Sequence, residues 1–381
     1  MNIAICGPVD TAYLRQHLGL RLTDAPPGFG GMPVTIETVE ICRRGIPLTV
    51  VTVDASINEP VRVVDGPLRV CYVPMRPRVR HRALDFFHQE ITSMAKELTN
   101  ARPDIVHAHW SYEFALAGLR SGLPLVVTCH DSPWDILLQQ RDTYRFIRLL
   151  MALSAFRRGH VFTAVSPYVK YRISWMLRGQ CTVIPNGLSL TDFPHRTRTF
   201  VCKANPTLVT VGNRSKGKNI EAALMAFPLI RRELPGAELH LFGHGLTTAE
   251  IPSADGVYPH GNRPYAELLA FLCEQADIMI HPSYEEACPM AVLEGHAVGL
   301  PVIGGKGSGG VPYVLGDSAS DCLVDVRDPG AIATAAINIL KDESLYSRLA
   351  LQAAQNIRQR FTAKVMVDNY LRLMEEVLSR P

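Results

Sequence analysis

Short apolar runs recur along the chain, and the segments between them carry apolar residues every three or four positions. In the first half the runs are Asn2–Cys6, Leu48–Val53, Arg69–Val73, Ile105–Ala108, Leu125–Thr128, Val161–Ala164 and Cys181–Ile184. Several are near-continuous Val/Ile/Leu stretches, the pattern of strands buried on both faces. The second half repeats the alternation with Thr207–Val211, Glu238–Phe242, Val257–Gly261, Ile278–His281 and Leu300–Ile303. Helices are expected over Pro33–Arg44, Ile220–Leu234, Pro289–Val298 and Ala363–Leu378. This order predicts an α/β protein of doubly wound parallel sheets with helices on both faces, whose ligands sit at the carboxyl ends of strands.

At 381 residues the chain exceeds one core of ordinary size and suits two domains. The polar, proline-punctuated stretch Phe193–Pro206 reads as the link. The expected division is therefore 1–198, 199–362 and a terminal helical segment 363–381. A hydrophobic content of 47% with 20% charged residues is ordinary for a globular protein, and no apolar run reaches the length of a membrane span. The first residues, MNIAICGP, go straight into a strand, so neither a signal peptide nor an extracellular site is expected and the location is read as cytoplasmic. Nine scattered cysteines without a C-x-x-C pair read as small buried hydrophobes. A net charge of +3 gives no argument for nucleic acid.

The chemistry concentrates in His281–Pro312, HPSYEEACPMAVLEGHAVGLPVIGGKGSGGVP. A strand end leads through a loop into a helix with proline at its start, then into a second strand that empties into a glycine-rich loop. Glu286 lies in the first loop and Glu294 one to two turns into the helix. Free N–H groups at a helix start favour phosphate, and carboxylates accept hydrogen bonds from ribose or sugar hydroxyls. One anionic, hydroxyl-rich ligand fits that combination. The loop Gly304–Gly310 contains a formal G-x-G-x-x-G (Gly305, Gly307, Gly310) and reads as a phosphate- or sugar-facing part of the same unit.

The segment PSYEEACPMAVLEGHAVGLPVI resembles the E-x7-E signature of retaining glycosyltransferases of family 4, which have the GT-B fold of two Rossmann-like domains facing across a cleft. The family's usual E-G-F-G is here Glu286-Ala287-Cys288-Pro289, which alters the loop that faces the donor sugar; Met290 follows it. The resemblance implies a donor site formed by Glu286, Ala287, Cys288, Pro289, Met290 and Glu294. It also implies that a Gly-Gly loop, here Gly30 and Gly31 ahead of helix Pro33–Arg44, touches the donor diphosphate. The family's G-R-x4-K-G places its lysine at Lys218. Its arginine slot holds Asn213, with Arg214 one position later. The same loop is a near miss for a P-loop, but Asn219 supplies no hydroxyl for Mg²⁺. By the match DIVHAHW…VTCHD, His130 corresponds to the family's sugar-facing histidine, and His109 is a second candidate. His260–Asn262 would be a base-contact loop.

Arg76, Arg78, Arg80, His81 and Arg82, followed by Phe86-Phe87, form one basic–aromatic stretch; Arg141, Tyr144, Arg145, Phe146, Arg148, Phe156, Arg157 and Arg158 form another. Each reads either as a solvated face or as contact with an anionic membrane surface or lipid-phosphate acceptor, with Arg78 and Arg80 on the acceptor side. No His-x-x-x-His or carboxylate stands at ligand spacing around His107, His109 and His130, and no D-x-D occurs, so no metal and no cofactor are expected. The activity implied is transfer of a sugar from a nucleotide-diphosphate sugar, UDP-linked first and GDP-mannose next, to a saccharide, lipid-linked or small-molecule hydroxyl. The catalytic set is His130, Glu286, Arg214 and Lys218. A nucleotide-sugar epimerase or sugar phosphorylase of the same fold is the alternative chemistry, and a catalytically idle scaffold the alternative class. The location implied extends to the inner face of the plasma membrane.

Overall fold

The computed structural model describes residues 1–19, 25–193, 198–200, 203–251, 253–316 and 319–379. The chain divides into two compact units, Met1–Gly187 with Ala363–Pro381, and Leu188–Thr362.

The first unit holds an eight-stranded sheet among its described residues. The strands are β1 Ile3–Cys6, β2 Leu48–Asp54, β3 Val61–Asp65, β4 Leu68–Pro74, β5 Ile105–His109, β6 Leu125–Cys129, β7 Val161–Ala164 and β8 Gln180–Val183, in spatial order β3-β4-β2-β1-β5-β6-β7-β8. β1 and β2 are buried along their whole length, as their continuous apolar sequence requires. The sheet is not wholly parallel: β3 pairs antiparallel with β4. Val61-Arg-Val-Val-Asp65 is half-exposed and lacks the apolar run used to find the other strands. A Gly66-Pro67 turn closes the hairpin, with Gly66 at φ 58°, where glycine carries no side-chain penalty.

The second unit carries β9 Thr207–Val211, β10 Glu238–Phe242, β11 Val257–Gly261, β12 Ile278–His281, β13 Val302–Gly305 and β14 Leu323–Val324, all parallel, in the order β11-β10-β9-β12-β13-β14. The order reverses at β9 and β12, a topological switch point of the kind at which α/β sheets bind ligands. Both loops singled out for phosphate, after β9 and after β12, leave the sheet there.

The division falls at Gly187/Leu188, earlier than the expected 198/199. Leu188 N–H donates to the Phe361 carbonyl (2.8 Å), and Arg198 donates to the carbonyls of Leu272, Cys273, Ala276 and Val298. These bonds tie the start of the link to the second unit; residues 194–197 and 201–202 of the link lie outside the described residues. The terminal helix Ala363–Leu378 groups with the first unit. Its Met366, Val367, Tyr370 and Met374 are buried, and Asp368 pairs with Arg44 at 2.6 Å. The cysteines among the described residues are free thiols, most of them buried. No helix among those residues is long and apolar enough to cross a membrane.

Candidate functional site

In the second unit the loops after β9 and β12 bring Lys218 and Glu286 together. β9 leads into a loop and a short 3-10 turn, Lys216–Lys218, followed by helix Ile220–Glu233. Asn219 fixes the junction. It adopts a left-handed φ of 50°, and its buried amide donates to the carbonyls of Pro282 (3.1 Å) and Val326 (3.0 Å). Tyr284 N–H donates to the Gly217 carbonyl (2.8 Å), joining the lysine loop to the loop after β12. Lys218 Nζ thereby reaches Glu286 Oε1 at 2.6 Å. The same oxygen lies 3.1 Å from His281 Nε2, at the end of β12.

Burial would raise the Glu286 carboxyl, but the hydrogen bond and charge of His281, with Lys218, outweigh it and hold the group at about 2. It is an anionic acceptor at neutral pH. Its backbone carbonyl accepts from Gly310 N–H (2.7 Å), so the glycine-rich loop packs against the carboxylate loop. Gly304 and Gly305 end β13, and only the remainder of the sequence motif is loop. A Cβ on Gly305 would lie 1.8 Å from Ser308 Oγ, which explains that glycine without a ligand.

Pro289 caps helix Met290–Ala297, with Ala287 and Cys288 just ahead of it. Glu294, on that helix, is buried, and its carboxyl is pushed up to about 7 by burial, with a Tyr265 hydrogen bond pulling the other way. The two glutamates therefore sit in opposite electrostatic surroundings: one ionised beside Lys218 and His281, one poised to titrate near neutrality.

Three expectations are revised by position. Arg214 pairs with Glu221 (3.5 Å) and donates to the Glu250 carbonyl, whereas Lys218 pairs with Glu286. Asn213 Oδ1 accepts from Ser215 N–H (3.1 Å), a local turn. His260 lies within β11 and not in a loop; its ring stacks on Phe242 at 4.3 Å, and its Nε2 is 2.9 Å from His240 Nδ1. A concavity of about 610 Å³ beside Phe227, Arg231 and Val257 contains none of the expected donor residues.

In the first unit, Gly30 (φ 77°) and Gly31 (φ 83°) lead into helix Met32–Arg43. A Cβ on Gly31 would stand 2.3 Å from the Pro8 carbonyl, whereas one on Gly30 would meet nothing within 4 Å. His107 and His109, on one face of β5, meet a carboxylate after all. Glu37 Oε1 is 2.7 Å from His107 Nδ1, and Glu37 Oε2 is 3.3 Å from His109 Nε2. Sequence spacing could not show this, because Glu37 comes from the helix after the Gly-Gly loop. The potential ligand atoms of these three residues lie within 4.8 Å of one another. However, both ring nitrogens of His107 already have partners, Glu37 and Thr128 Oγ1 (2.6 Å), so a metal would have to displace an internal bond. His109 Nδ1 is 3.0 Å from His130 Nε2. Trp110, at an uncommon φ of 63°, stacks on the His130 ring at 4.3 Å. Asp131 is pushed up to about 6 by burial, against a 2.8 Å hydrogen bond from Tyr112.

Of the basic stretches, Arg76 is spent on Asp85 and Glu90, Arg82 is buried and lies near the Phe87 ring, and Arg148 pairs with Glu113 over the Tyr112 ring. Arg78 and Arg80 are exposed.

The switch point of the second sheet thus carries a lysine–glutamate pair, a helix start and a second buried glutamate. Two family models match the chain: Glycosyltransferase Family 4 over residues 35–192, and Glycosyl transferases group 1 over residues 205–342. N-acetyl-alpha-D-glucosaminyl L-malate synthase of Bacillus anthracis is 25% identical, covering 75% of this chain and 78% of that protein. D-inositol 3-phosphate glycosyltransferase of Segniliparus rotundus is also 25% identical, covering 83% and 79%. Among solved structures, sucrose-phosphate synthase from Thermosynechococcus elongatus matches with a TM-score of 0.74 at 18% identity, over 100% of this chain and 99% of that one. Anabaena HepE, solved with UDP and glucose, matches with 0.66 at 14%, over 99% and 100%. The chain belongs to the family 4 glycosyltransferases, with the two-domain GT-B fold, and is a transferase enzyme.

Proposed function

We propose that the enzyme is a retaining, metal-independent glycosyltransferase that moves a sugar from a UDP-sugar, with GDP-mannose the next choice, to an acceptor hydroxyl. The observation that carries this reading is the Lys218–Glu286–His281 cluster against the start of helix Met290–Ala297. It sets a cation for a diphosphate beside an ionised acceptor for sugar hydroxyls. The glucosaminyl-malate and inositol-phosphate relatives support a saccharide or small-molecule acceptor, and the UDP–glucose complex of HepE supports the base.

In this reading Lys218 offsets charge on the leaving diphosphate. A well-placed donor of this kind contributes about 3–4 kcal/mol to the barrier. Glu286 holds the sugar hydroxyls, with the Ala287–Met290 segment lining the same place, and Glu294 holds the ribose. His130 hydrogen-bonds the sugar, with His109 behind it. Arg214 joins only by leaving the Glu250 carbonyl, which makes it secondary to Lys218. The bond from the anomeric carbon to the diphosphate breaks, the acceptor oxygen bonds to the same face, and the acceptor proton passes to the departing phosphate oxygen.

The acceptor side carries a further feature. Trp134, Leu138, Phe146, Leu150, Tyr171 and Trp175 are exposed on neighbouring helices, with Trp134 and Trp175 in edge contact at 5.7 Å. Exposed Arg141, Arg157 and Arg158 belong to the same helical region. Apolar bulk interleaved with basic charge favours a lipid-linked acceptor presented at an anionic membrane surface.

The test is thermal shift with UDP, GDP, ADP and their sugar conjugates, on wild type and Glu294→Ala, with and without a chelator. Stabilisation by UDP ligands that survives chelation and is lost in the variant is expected. No stabilisation by any nucleotide would overturn the donor assignment. Donor turnover without acceptor would favour epimerisation, and a requirement for free phosphate would favour phosphorolysis.

A further inference from the structure

The buried cluster behind His130 has a direction. Glu37 is fully buried between two histidines of β5, yet its carboxyl is held at about 2, the pull of His107 and His109 beside it outweighing the burial that would raise it. A carboxylate only accepts, so each histidine nitrogen facing it must carry the hydrogen. Oε1 takes the Nδ1–H of His107 at 2.7 Å. Oε2 faces His109 Nε2 at 3.3 Å, too poorly aligned to count as a hydrogen bond; a bare nitrogen there would set two lone pairs against each other in a dry interior. His109 therefore carries its proton on Nε2. Burial keeps its ring neutral at neutral pH, which leaves Nδ1 bare. The partner of that Nδ1, 3.0 Å away, is His130 Nε2, which must donate. Burial, and then the neighbouring histidines, keep His130 neutral as well, so its remaining nitrogen, Nδ1, has no proton.

We propose that Glu37 is a positioning residue that acts through His109 to set the tautomer of His130, presenting His130 Nδ1 as a hydrogen-bond acceptor to a hydroxyl of the transferred sugar. Trp110 holds the plane of that ring by stacking. The clamp is completed behind Glu37, where His107 Nε2 meets Thr128 Oγ1 at 2.6 Å and Thr128 meets Thr163 at 2.6 Å and Tyr370 at 3.3 Å. The relay and its clamp draw on a helix, three strands and the terminal helix. Its catalytic consequence rests on reading His130 as the sugar-facing group.

The first test reads the tautomers in the wild type. Long-range proton–nitrogen correlation spectra of the wild-type histidine side chains, with His130 assigned by loss of its signals in His130→Gln, should show Nε2 protonated and Nδ1 bare in both His109 and His130. A His130 protonated on Nδ1 would overturn the proposal. The second is Glu37→Gln, whose amide can donate to His109 Nε2 and reverse both tautomers. Its kcat should fall about 10- to 100-fold, as when an orienting partner is lost, with donor KM within about twofold. Glu37→Asp should recover part of the rate. Unchanged tautomers in Glu37→Gln would also refute the relay. If the tautomers are as proposed but His130→Gln turns over normally, the site reading of His130 fails and the relay has no catalytic role.

Discussion

Replacing Glu294 by Gln should separate stability from function, with a sign set by pH. The Glu294 carboxyl is buried, and its pKa is raised from an ordinary 4.5 to about 7. The folded state thus holds the proton more tightly than the unfolded chain. Between about pH 4.5 and about pH 7 the wild type loses stability as pH rises, and above about pH 7 the full cost of a buried charge is present. At about 1.4 kcal/mol per pH unit, the shift amounts to roughly 3 kcal/mol. Glutamine keeps the shape, can accept from the Tyr265 hydroxyl and carries no charge. Glu294→Gln should therefore melt higher by about 6–12 °C at about pH 8, given about 2–4 °C per kcal/mol for a domain of this size, and within a degree or two of wild type at about pH 5. The assay is calorimetric melting of both proteins across that range. Nucleotide stabilisation should be lost in the variant. In wild type, nucleotide affinity should rise as pH approaches about 7, since ribose hydroxyls donate to the ionised form. A melting difference that does not change with pH would refute the electrostatic reasoning; a pH-dependent gain with nucleotide binding intact would refute only the ribose role.

The other substitutions probe the remaining contacts. Lys218→Met should lower kcat/KM by about 10²–10³-fold and raise the Glu286 pKa, both readable from turnover against pH. Gly31→Ala should destabilise by at least about 1–3 kcal/mol in denaturant titration, through positive φ and the Pro8 carbonyl, and Gly30→Ala should cost less because its surroundings are open. Asn219→Ala leaves two buried carbonyls without their donor and should cost about 2 kcal/mol or more, with donor KM raised as the lysine loop loosens. Phe146→Ser with Trp175→Ser should abolish co-sedimentation with anionic vesicles without changing turnover of a water-soluble acceptor; unchanged sedimentation would remove the membrane-surface reading.

Much was legible in one dimension because the signals are local. Continuous apolar runs marked the inner strands, since a strand covered on both faces has no polar side to show. Helix Ala363–Leu378 fell on its expected bounds because its stripe is strongly amphipathic. Glu286, Glu294 and Lys218 stood out as candidates because the loop and helix that carry each are contiguous in sequence. By contrast β3, half-exposed at an edge, carries the weak alternation of any polar stretch. The link was misplaced because Arg198, inside a polar segment, spends its guanidinium on four carbonyls distant in sequence.

The sequence by itself determined the two α/β units, the family and the loops that follow β9 and β12, because each depends on residues a few positions apart. Only the tertiary structure decided what those residues are electrically. Glu286 and Glu294 look alike on paper, and they part by several pH units because His281 and Lys218 reach one while burial isolates the other. It likewise decided that Glu37, separated by about seventy positions from β5, lies against His107 and His109. Burial and charge proximity are properties of packed neighbours, and packing brings together what the chain keeps apart.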